Sequence, residues 1–515
     1  MNRREAAHPT VLVVGAGPTG LALACGLRNR GVSVRVVDQA GGPITTSRAL
    51  GVQPRGVEVL LRLGALGDLP QQVIPLREVR MHVAGRLVST MPIDRLGDSV
   101  GRSPLLVSQV EVESALRARL AELGGVLDWG RELVDCVQDG TGVTATLCGE
   151  DGTEPVRADW LAGCDGAHSR VRKLSGIGFP GVPVAEHFLI ADVRTNWALD
   201  RQIMSSWSRG GEMVSVCPLP GTGRWRLMGP APTGTEGRLT EDDVLTLIKR
   251  QLAACTPYSA QAIERVDWLS TFRIHRRLAD SYRSGRVVLA GDAVAIHHPF
   301  GGQGMNTGLG DAENLAWKLA LVANGRAGDR LLDSYQAERR PVAQGVLAGT
   351  GLTTRLVLAE SRATAVLRDR LVMPLLNSRK AQEFIWRNAS QLGVHYRDGP
   401  LAGRGRFAAG PRQGDRVPDI HCRLDGGAPV RLHQALDGRW GVLAGPGNEA
   451  SFDAAAAWLG TTGVVALTPA RGRTADVLLI RPDAHLAWRG RPAPERLSSW
   501  LGTHLEPSSG ESGTA

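Results

Sequence analysis

The stretch Val11-Leu-Val-Val-Gly15-Ala-Gly17-Pro-Thr-Gly20 decides the fold of this 515-residue chain. Four apolar residues predict a buried strand, and the glycines and proline behind them predict a tight turn into a helix. A second apolar run, Val34 to Val37, ends at the carboxylate of Asp38. Glycines let a backbone approach a pyrophosphate, a helix N-terminus favours its charge, and such a carboxylate accepts ribose hydroxyls. We therefore predict a Rossmann-like dinucleotide site formed by Gly15, Gly17, Pro18, Thr19, Gly20 and Asp38.

Two later segments belong with this one. The first is Gly163-Cys-Asp165-Gly166-Ala-His-Ser169-Arg-Val-Arg172, which follows an apolar run. The second is Val287-Val-Leu-Ala-Gly291-Asp292-Ala293, again an apolar run that ends in a glycine and an aspartate. Asp165 and Arg172 could pair to hold a turn, and Asp292 could cap a backbone. A cofactor role for each aspartate is the other interpretation.

Bulk composition excludes several classes of protein. The net charge is +9, but the arginines are spread evenly, which predicts a solvated surface with a mild attraction for acidic ligands and no nucleic-acid partner. No apolar run approaches the roughly 20 residues of a membrane span, and the N-terminus is polar. Seven cysteines, none in a CxxC pair, predict free thiols in a reducing compartment. We expect a cytoplasmic protein with no membrane contact and no metal site.

Changes in pattern along the chain predict its domains. Residues 1–178 and 273–396 carry strand–helix alternation, and residues 179–272 carry short strands between Gly/Pro turns with one helix, Thr240 to Ala254. Residues 397–413 are rich in Gly and Arg and predict a linker. Residues 414–505 predict a smaller α/β unit, in which the run Gly445 to Ala450 is a strand-to-helix turn rather than a second dinucleotide site. Residues 506–515 predict a disordered tail.

In order and spacing, the three segments resemble those of the class A FAD-dependent aromatic hydroxylases, the flavoprotein monooxygenases that tailor bacterial aromatic polyketides. The stretches Gly414 to Asp419 and Leu479 to Arg489 resemble the extra thioredoxin-like domain of those enzymes, without its redox CxxC. The resemblance implies an α/β fold. It would consist of a Rossmann-like FAD-binding domain like that of para-hydroxybenzoate hydroxylase, an inserted β-sheet substrate domain and a C-terminal thioredoxin-like α/β domain.

The resemblance also implies site residues. Arg48 would lie near the pyrophosphate and the flavin, with a surface arginine as the alternative. Gln109 would reach the ribityl chain, with a helix cap as the alternative. Asp165 would belong to the fingerprint shared by FAD and NAD(P)H, and Asp292 would accept ribityl hydroxyls. The run from Pro299 would place amides of a helix N-terminus against the flavin pyrimidine edge, where they stabilise negative charge. The residues of this run implied at the flavin are Pro299, Gly302, Gly304, Met305 and Asn306.

Two sets of residues stay open. His297 and His298 precede Pro299, where resembling enzymes often have an apolar or small residue; packing or solvent exposure is the first interpretation, and a proton or substrate role is the second. Large apolar residues between 179 and 272 are candidates to line a substrate pocket, and core packing is the first interpretation for most of them. They are Trp197, Trp207, Met213, Trp225 and Met228.

The implied reaction explains why no nucleophile–base or metal constellation is visible. In the resembling family NADPH reduces FAD, the reduced flavin captures molecular oxygen as a C4a-hydroperoxide, and one oxygen atom passes to a polycyclic aromatic substrate. Baeyer–Villiger insertion beside a ketone is one alternative, and a flavin-dependent reductase without oxygen insertion is another. A non-enzymatic FAD-fold protein is a third. We expect a monomer or homodimer.

Overall fold

The structure, a computed structural model, describes residues 8–46, 49–95, 103–232, 239–296, 302–357, 377–403, 410–425, 427–470 and 475–506. Its helices are α1 Pro18–Arg28, α2 Pro54–Arg62, α3 Gln109–Glu122, α4 Arg170–Leu174, α5 Glu241–Cys255, α6 Gln303–Ala323, α7 Asp333–Val357, α8 Arg379–Ala389, α9 Leu432–Leu436, α10 Glu449–Leu459 and α11 Pro494–Leu505. Short 3-10 turns are Leu69–Gln71, Ala260–Ala262, Gly291–Ala293, Asp329–Leu332 and Thr461–Gly463.

A six-stranded central sheet forms the domain predicted to bind FAD, which we call the FAD-type domain. Its order is Arg283–Ser284, Val287–Leu289, Trp160–Gly163, Val11–Val14, Val34–Asp38 and Val126–Trp129. All neighbours are parallel except the first pair. The strand Val11–Val14 is buried on both faces, as parallel strands between helices are, and α1 packs against α6 beside it. The Rossmann-like prediction is confirmed.

Two small antiparallel sheets flank the central one. One has the order Gly152–Ala158, Val143–Gly149 and Glu132–Gln138, and the other has the order Leu50–Val52, Leu105–Ser108 and Ile74–Pro75. The second of these sheets leads directly into α3, because Ser108 caps that helix.

An eight-stranded sheet makes the second domain. Its order is Ala295–Ile296, Ile263–Leu278, Gly181–Thr195, Arg224–Pro230, Glu212–Pro218, Ile203–Arg209, Glu78–Val83 and Arg86–Pro92. Helix α5 packs on one face of it, through Val244 and Ile248. The helix begins after a capping box: the Thr240 hydroxyl accepts from the Asp243 amide, and the Asp243 carboxylate accepts from the Thr240 amide.

This sheet corrects the predicted domain boundaries. The strands Glu78–Val83 and Arg86–Pro92 fall in the segment assigned to the FAD-type domain, yet they extend the eight-stranded sheet by parallel pairing of Ile203 with Glu78. The strand Ile263–Leu278 also crosses the boundary placed after residue 272. Local alternation predicts that a segment is a strand, but it carries no information about a partner far away in the chain.

The C-terminal domain is the expected α/β unit. Its sheet has the order Pro429–Arg431, His421–Leu424, Val464–Pro469, Trp440–Leu443, Val477–Ile480 and Leu486–Gly490, and α10 and α11 pack together beside it. The Gly445 run is a turn into α10, in which the Asn448 side-chain amide donates to the Gly445 carbonyl over 2.8 Å. The predicted linker is described except at residues 404–409, and of the predicted tail only Glu506 is described.

Buried charges join the C-terminal domain to the FAD-type domain. Arg481 donates two hydrogen bonds to Glu338 of α7, at 2.7 and 2.9 Å, and Lys318 of α6 reaches the same carboxylate at 2.7 Å. Asp483 accepts from Asn314 at 3.2 Å and from Trp317 at 3.3 Å. Because these groups are buried and paired, the C-terminal domain has a fixed place against α6 and α7.

Two further properties of the described residues bear on function. All seven cysteines are free. Among the helices of the described ranges, none is both long and apolar enough to cross a bilayer.

Candidate cofactor site

The three segments meet at the carboxyl ends of adjacent parallel strands. The Cys164 amide donates to the Val14 carbonyl over 2.8 Å, and the Ala290 amide donates to the Gly163 carbonyl over 3.0 Å. The turns that follow these strands therefore lie side by side, at the edge where α/β sheets bind ligands. We call this place the cofactor edge: residues 15–20, 165–169 and 291–293 and the N-terminus of α6.

Two of the first three glycines are required by packing. Gly15 has φ of +105°, and a Cβ there would lie 2.4 Å from the Cys164 carbonyl oxygen. A Cβ on Gly20 would lie 1.9 Å from the Gly15 carbonyl oxygen. Gly17 differs, because a Cβ there would meet no atom within 4 Å. Gly17 is the N-cap of α1 and Pro18 its first residue, so the helix N-terminus opens onto unfilled space that suits a pyrophosphate.

Thr19 connects the first and third segments. A Cβ on Gly291 would lie 2.6 Å from its hydroxyl oxygen, and a Cβ on Gly308 would lie 2.2 Å from the same atom. Only glycine at both positions lets α1 approach the Gly291 turn and α6 this closely.

Asp38 holds the glycine turn in place. Its Oδ2 accepts from the Ala16 amide at 2.7 Å, and its Oδ1 accepts from the Ala40 amide at 2.8 Å. Each oxygen of an ionised carboxylate has a second lone pair, so this engagement leaves capacity for a ribose hydroxyl.

Asp165 and Arg172 hydrogen-bond to different partners. The Asp165 carboxylate accepts from the Ser169 hydroxyl at 2.5 Å and from the amides of Arg170 and Val171 at 2.7 and 3.0 Å, which caps α4. Arg172 donates instead to the Ala293 carbonyl at 2.8 Å. No ion pair joins Asp165 to Arg172 among the described side chains, so the pairing interpretation is wrong. The arginine ties α4 to the third segment because its guanidinium needs carbonyl partners when buried.

Asp311 and Arg339 hold the turn that carries Asp292 in place. The Gly291 amide donates to Asp311 Oδ2 over 3.2 Å, and Arg339 Nε donates to Asp311 Oδ1 over 2.6 Å. Asp292 itself is exposed at the cofactor edge, while Gly291 and Ala293 on either side are buried. Sequence reasoning missed Asp311 and Arg339, because two charged residues 28 positions apart give no local signal.

The N-terminus of α6 is pinned by Asn306. Gly302 is its N-cap, with φ of 61° and ψ of 36°, a left-handed conformation that favours glycine. The fully buried Asn306 donates to the Gly302 carbonyl at 2.7 Å and accepts from the Gln53 amide at 2.8 Å. Its side chain is thereby engaged within the protein, so Asn306 could meet a ligand only through its backbone amide, as could Gly304 in the same turn.

Gln109 does not cap its helix. Ser108 is the N-cap of α3 and accepts from the Glu111 amide at 3.4 Å, so the capping interpretation of Gln109 is wrong. The Gln109 side chain donates to Glu113 at 2.8 Å, and burial raises the pKa of that Glu113 carboxyl. Its proposed contact with a ribityl chain stays a prediction.

Some of the predicted residues lie outside the described ranges. They are Arg48, His297, His298 and Pro299. Within the described ranges, no group of three or more His, Cys, Asp or Glu side chains is arranged to hold a metal ion.

The eight-stranded sheet has two different faces. Trp207 and Trp225 pack with α5, and Trp197 lies against the same cluster, so these tryptophans belong to the core on the far side from the cofactor edge. Core packing, the first interpretation for most of the large apolar residues, holds for Trp207 and Trp225. Strand alternation separates two faces of a sheet without telling which one meets the cofactor, so the sequence does not show which of these residues lies on that face. Met228 lies on the other face, in a cluster with Leu50 and Leu106 of the FAD-type domain. Met213 is buried.

Comparison with known proteins agrees with this geometry. Residues 8–350 match the FAD binding domain family, and residues 410–506 match the aromatic-ring hydroxylase C-terminal family. A 6-methylpretetramide 4-monooxygenase of Streptomyces rimosus is 38% identical over 457 residues, which cover 85% of this chain and 80% of the relative.

Solved structures give the same result. An anhydrotetracycline hydroxylase from Streptomyces rimosus superposes with a TM-score of 0.80 at 31% identity, over 97% of this chain and 99% of that one. Aklavinone-11 hydroxylase, in a ternary complex with FAD and aklavinone, superposes with a TM-score of 0.78 at 26% identity, over 97% and 99% of the two chains.

Proposed function

This chain is a flavin-dependent monooxygenase that belongs to the FAD-dependent aromatic-ring hydroxylases, and we propose that it hydroxylates a polycyclic aromatic polyketide with NADPH as reductant. The proposal rests on one observation: three segments that are distant in the sequence meet at the cofactor edge. There Gly17 faces open space and Asp292 is exposed. Relatives that act on tetracycline precursors and on aklavinone support a fused-ring substrate.

The cofactor edge provides the groups that a flavin dinucleotide needs. The amides at the start of α1, after Gly17, would receive the pyrophosphate, and Asp38 would accept adenosine ribose hydroxyls. Asp292 and Gln109 would bond the ribityl chain. Arg48, Pro18, Thr19 and Asp165 would complete the contacts around the pyrophosphate and ribose.

The N-terminus of α6 would stabilise negative charge on the flavin. Backbone amides after Pro299, as far as Asn306, would face the pyrimidine edge, where the positive end of the helix dipole favours negative charge. Reduced FAD supplies the activated oxygen when it is bound. The protein's part is to hold the ring, to hold the substrate and to exclude water.

Substrate would lie on the face of the eight-stranded sheet that carries Met228. That face meets Leu50 and Leu106 of the FAD-type domain and presents partly buried apolar side chains, which suits a flat apolar ring system. The free thiols fit a reducing compartment, and we place the enzyme in the cytoplasm on that ground.

The test is turnover of the purified, FAD-loaded protein with NADPH, oxygen and a panel of polycyclic phenols. We expect substrate-dependent oxygen uptake and a product that gains a hydroxyl group. A lactone or ester product would establish Baeyer–Villiger insertion instead. Substrate reduction without oxygen uptake would establish a reductase and contradict the proposal.

A further inference from the structure

An apolar cluster of buried and partly buried side chains lies between the eight-stranded sheet and the FAD-type domain. Three partly buried methionines dominate it, and we call Met91, Met204 and Met228 the methionine wall. Met91 pairs with Val79, and Val79 pairs with Met204, so two of these side chains stand on one row across three adjacent strands. Thioether side chains adapt their shape and make favourable contacts with aromatic rings, which suits a planar polycyclic ligand.

Trp386 of α8 belongs to the same cluster. It is 5% exposed and packs in the same group of side chains as Met228 and Leu106. Its indole nitrogen is buried and has no hydrogen-bond partner among the described residues. A buried indole N–H usually finds an acceptor, since leaving the donor unpaired has a desolvation cost.

Helix α8 spans the space between the methionine wall and the cofactor edge. At its start, Gln382 donates to the Thr90 carbonyl of the sheet over 2.8 Å. Just beyond its end, Gln391 donates to the Thr307 hydroxyl in the first turns of α6 over 3.0 Å. Gln382 and Trp386 are four residues apart and share one face of the helix. Trp386 is therefore held between the sheet and the helix that we propose meets the flavin.

We propose that the Trp386 indole N–H donates a hydrogen bond to a ring carbonyl or phenolic oxygen of a polycyclic aromatic substrate that rests on the methionine wall. This contact would select quinoid or phenolic substrates over bare ring systems and would set which ring faces the flavin. A site with a buried polar group discriminates strongly against a ligand that leaves this group unpaired. The inference rests on the proposed function for its occupant.

Two probes that differ only in the acceptor test this inference. Anthraquinone sulfonate carries ring carbonyls, and anthracene sulfonate has the same rings without them. Titration of the oxidised, FAD-loaded protein, followed by flavin absorbance, gives a Kd for each probe. We expect the wild-type protein to bind the quinone about tenfold more tightly, since that is the effect of one hydrogen bond of about 1.4 kcal/mol.

The variant Trp386→Phe keeps an aromatic ring and removes the donor. We expect it to lose the preference for the quinone while its affinity for anthracene sulfonate changes less than twofold. Trp225→Phe is the matched control, because the Trp225 indole nitrogen is also buried without a described partner but lies in the cluster beneath α5. The control is expected to keep the wild-type preference.

Two results would overturn the inference. One is a wild-type protein that binds both probes equally, which needs no variant and so does not depend on the folding of Trp386→Phe. The other is a Trp386→Phe protein with normal FAD content and an unchanged preference. Loss of the preference in a protein that never takes up oxygen would leave this contact standing and would contradict only the proposed function.

Discussion

The amide of Gly291 donates to the carboxylate of Asp311 over 3.2 Å, so a residue of α6 holds the turn that presents Asp292. Arg339 bonds the other oxygen of Asp311 at 2.6 Å and also reaches the hydroxyl of Tyr396 at 3.1 Å. The Tyr396 ring in turn contacts that of His485, 4.2 Å between centroids. The shape of the cofactor edge is thereby coupled to the C-terminal domain.

Replacement of Asp311 tests this coupling. Asp311→Asn keeps the shape but leaves Arg339 buried without its counter-charge, and we expect a loss of about 3–5 kcal/mol of unfolding free energy. Urea unfolding of the FAD-free protein measures it. Asp151→Asn is the control, because Asp151 is 87% exposed in its pair with Arg131 and the change is expected to stay below about 1 kcal/mol. Equal small effects of both variants would contradict the assignment.

Two glycines of one turn should respond oppositely to an added methyl group. Gly20→Ala is expected to abolish folding, because its Cβ would lie 1.9 Å from a backbone oxygen. Gly17→Ala is expected to fold normally, since its φ is −75° and its Cβ meets nothing within 4 Å, but to weaken FAD binding at least tenfold. Circular dichroism reports the folding of the two variants, and their flavin content reports FAD binding. A Gly17→Ala protein that retains flavin like the wild type would show that the pyrophosphate does not bind at this turn.

Asp292 gives a second test of the cofactor edge. Asp292→Ala is expected to leave the fold unchanged, because the side chain is exposed, and to weaken FAD binding about tenfold through loss of a charged acceptor. Fluorescence titration of the FAD-free protein measures the Kd, and Asp280→Ala provides an exposed control on the same chain. An unchanged Kd for Asp292→Ala would show that the ribityl chain bonds elsewhere.

The contact between α2 and the C-terminal domain predicts a sensitivity to acid. Burial lowers the pKa of His433 to about 3, and the imidazole lies within 3.0 Å of Arg62. Above the ordinary histidine value of about 6.5 both the folded and the unfolded chain are neutral at this residue. As pH falls below that value the unfolded chain takes up a proton that the folded chain does not, so stability is lost between about pH 6.5 and pH 3.

The variant His433→Gln removes the imidazole that takes up this proton. Its unfolding free energy is expected to fall less steeply with pH in that window than that of the wild type. His421→Gln, a change at an exposed strand residue, should leave the slope as it is. Parallel slopes for wild type and His433→Gln would place the acid sensitivity in other groups.

Periodicity and glycine spacing predict the central sheet, the helix α5 and the α/β character of the C-terminal unit, because those features depend on neighbouring residues. The same local information does not show that the strands Glu78–Val83 and Arg86–Pro92 join the eight-stranded sheet. It also identified Trp207 and Trp225 as large apolar residues without revealing which face of the sheet they occupy.

The buried polar contacts were beyond prediction for a related reason. Asp311 and Arg339, or Glu338 and Arg481, become partners only when two domains pack together. A motif predicts the backbone path that it needs, while the side chains that hold this path in place come from distant helices. Trp386 belongs to this second group, since its sequence surroundings give no sign of the methionine wall.

The proposed function requires that one atom of molecular oxygen passes to a polycyclic aromatic ring. Turnover under oxygen-18 gas in unlabelled water, followed by mass spectrometry of the product, tests this transfer. We expect one labelled oxygen atom in each product molecule, on a new hydroxyl group. A product without label, or NADPH oxidation that yields only hydrogen peroxide with every phenol tested, would contradict it.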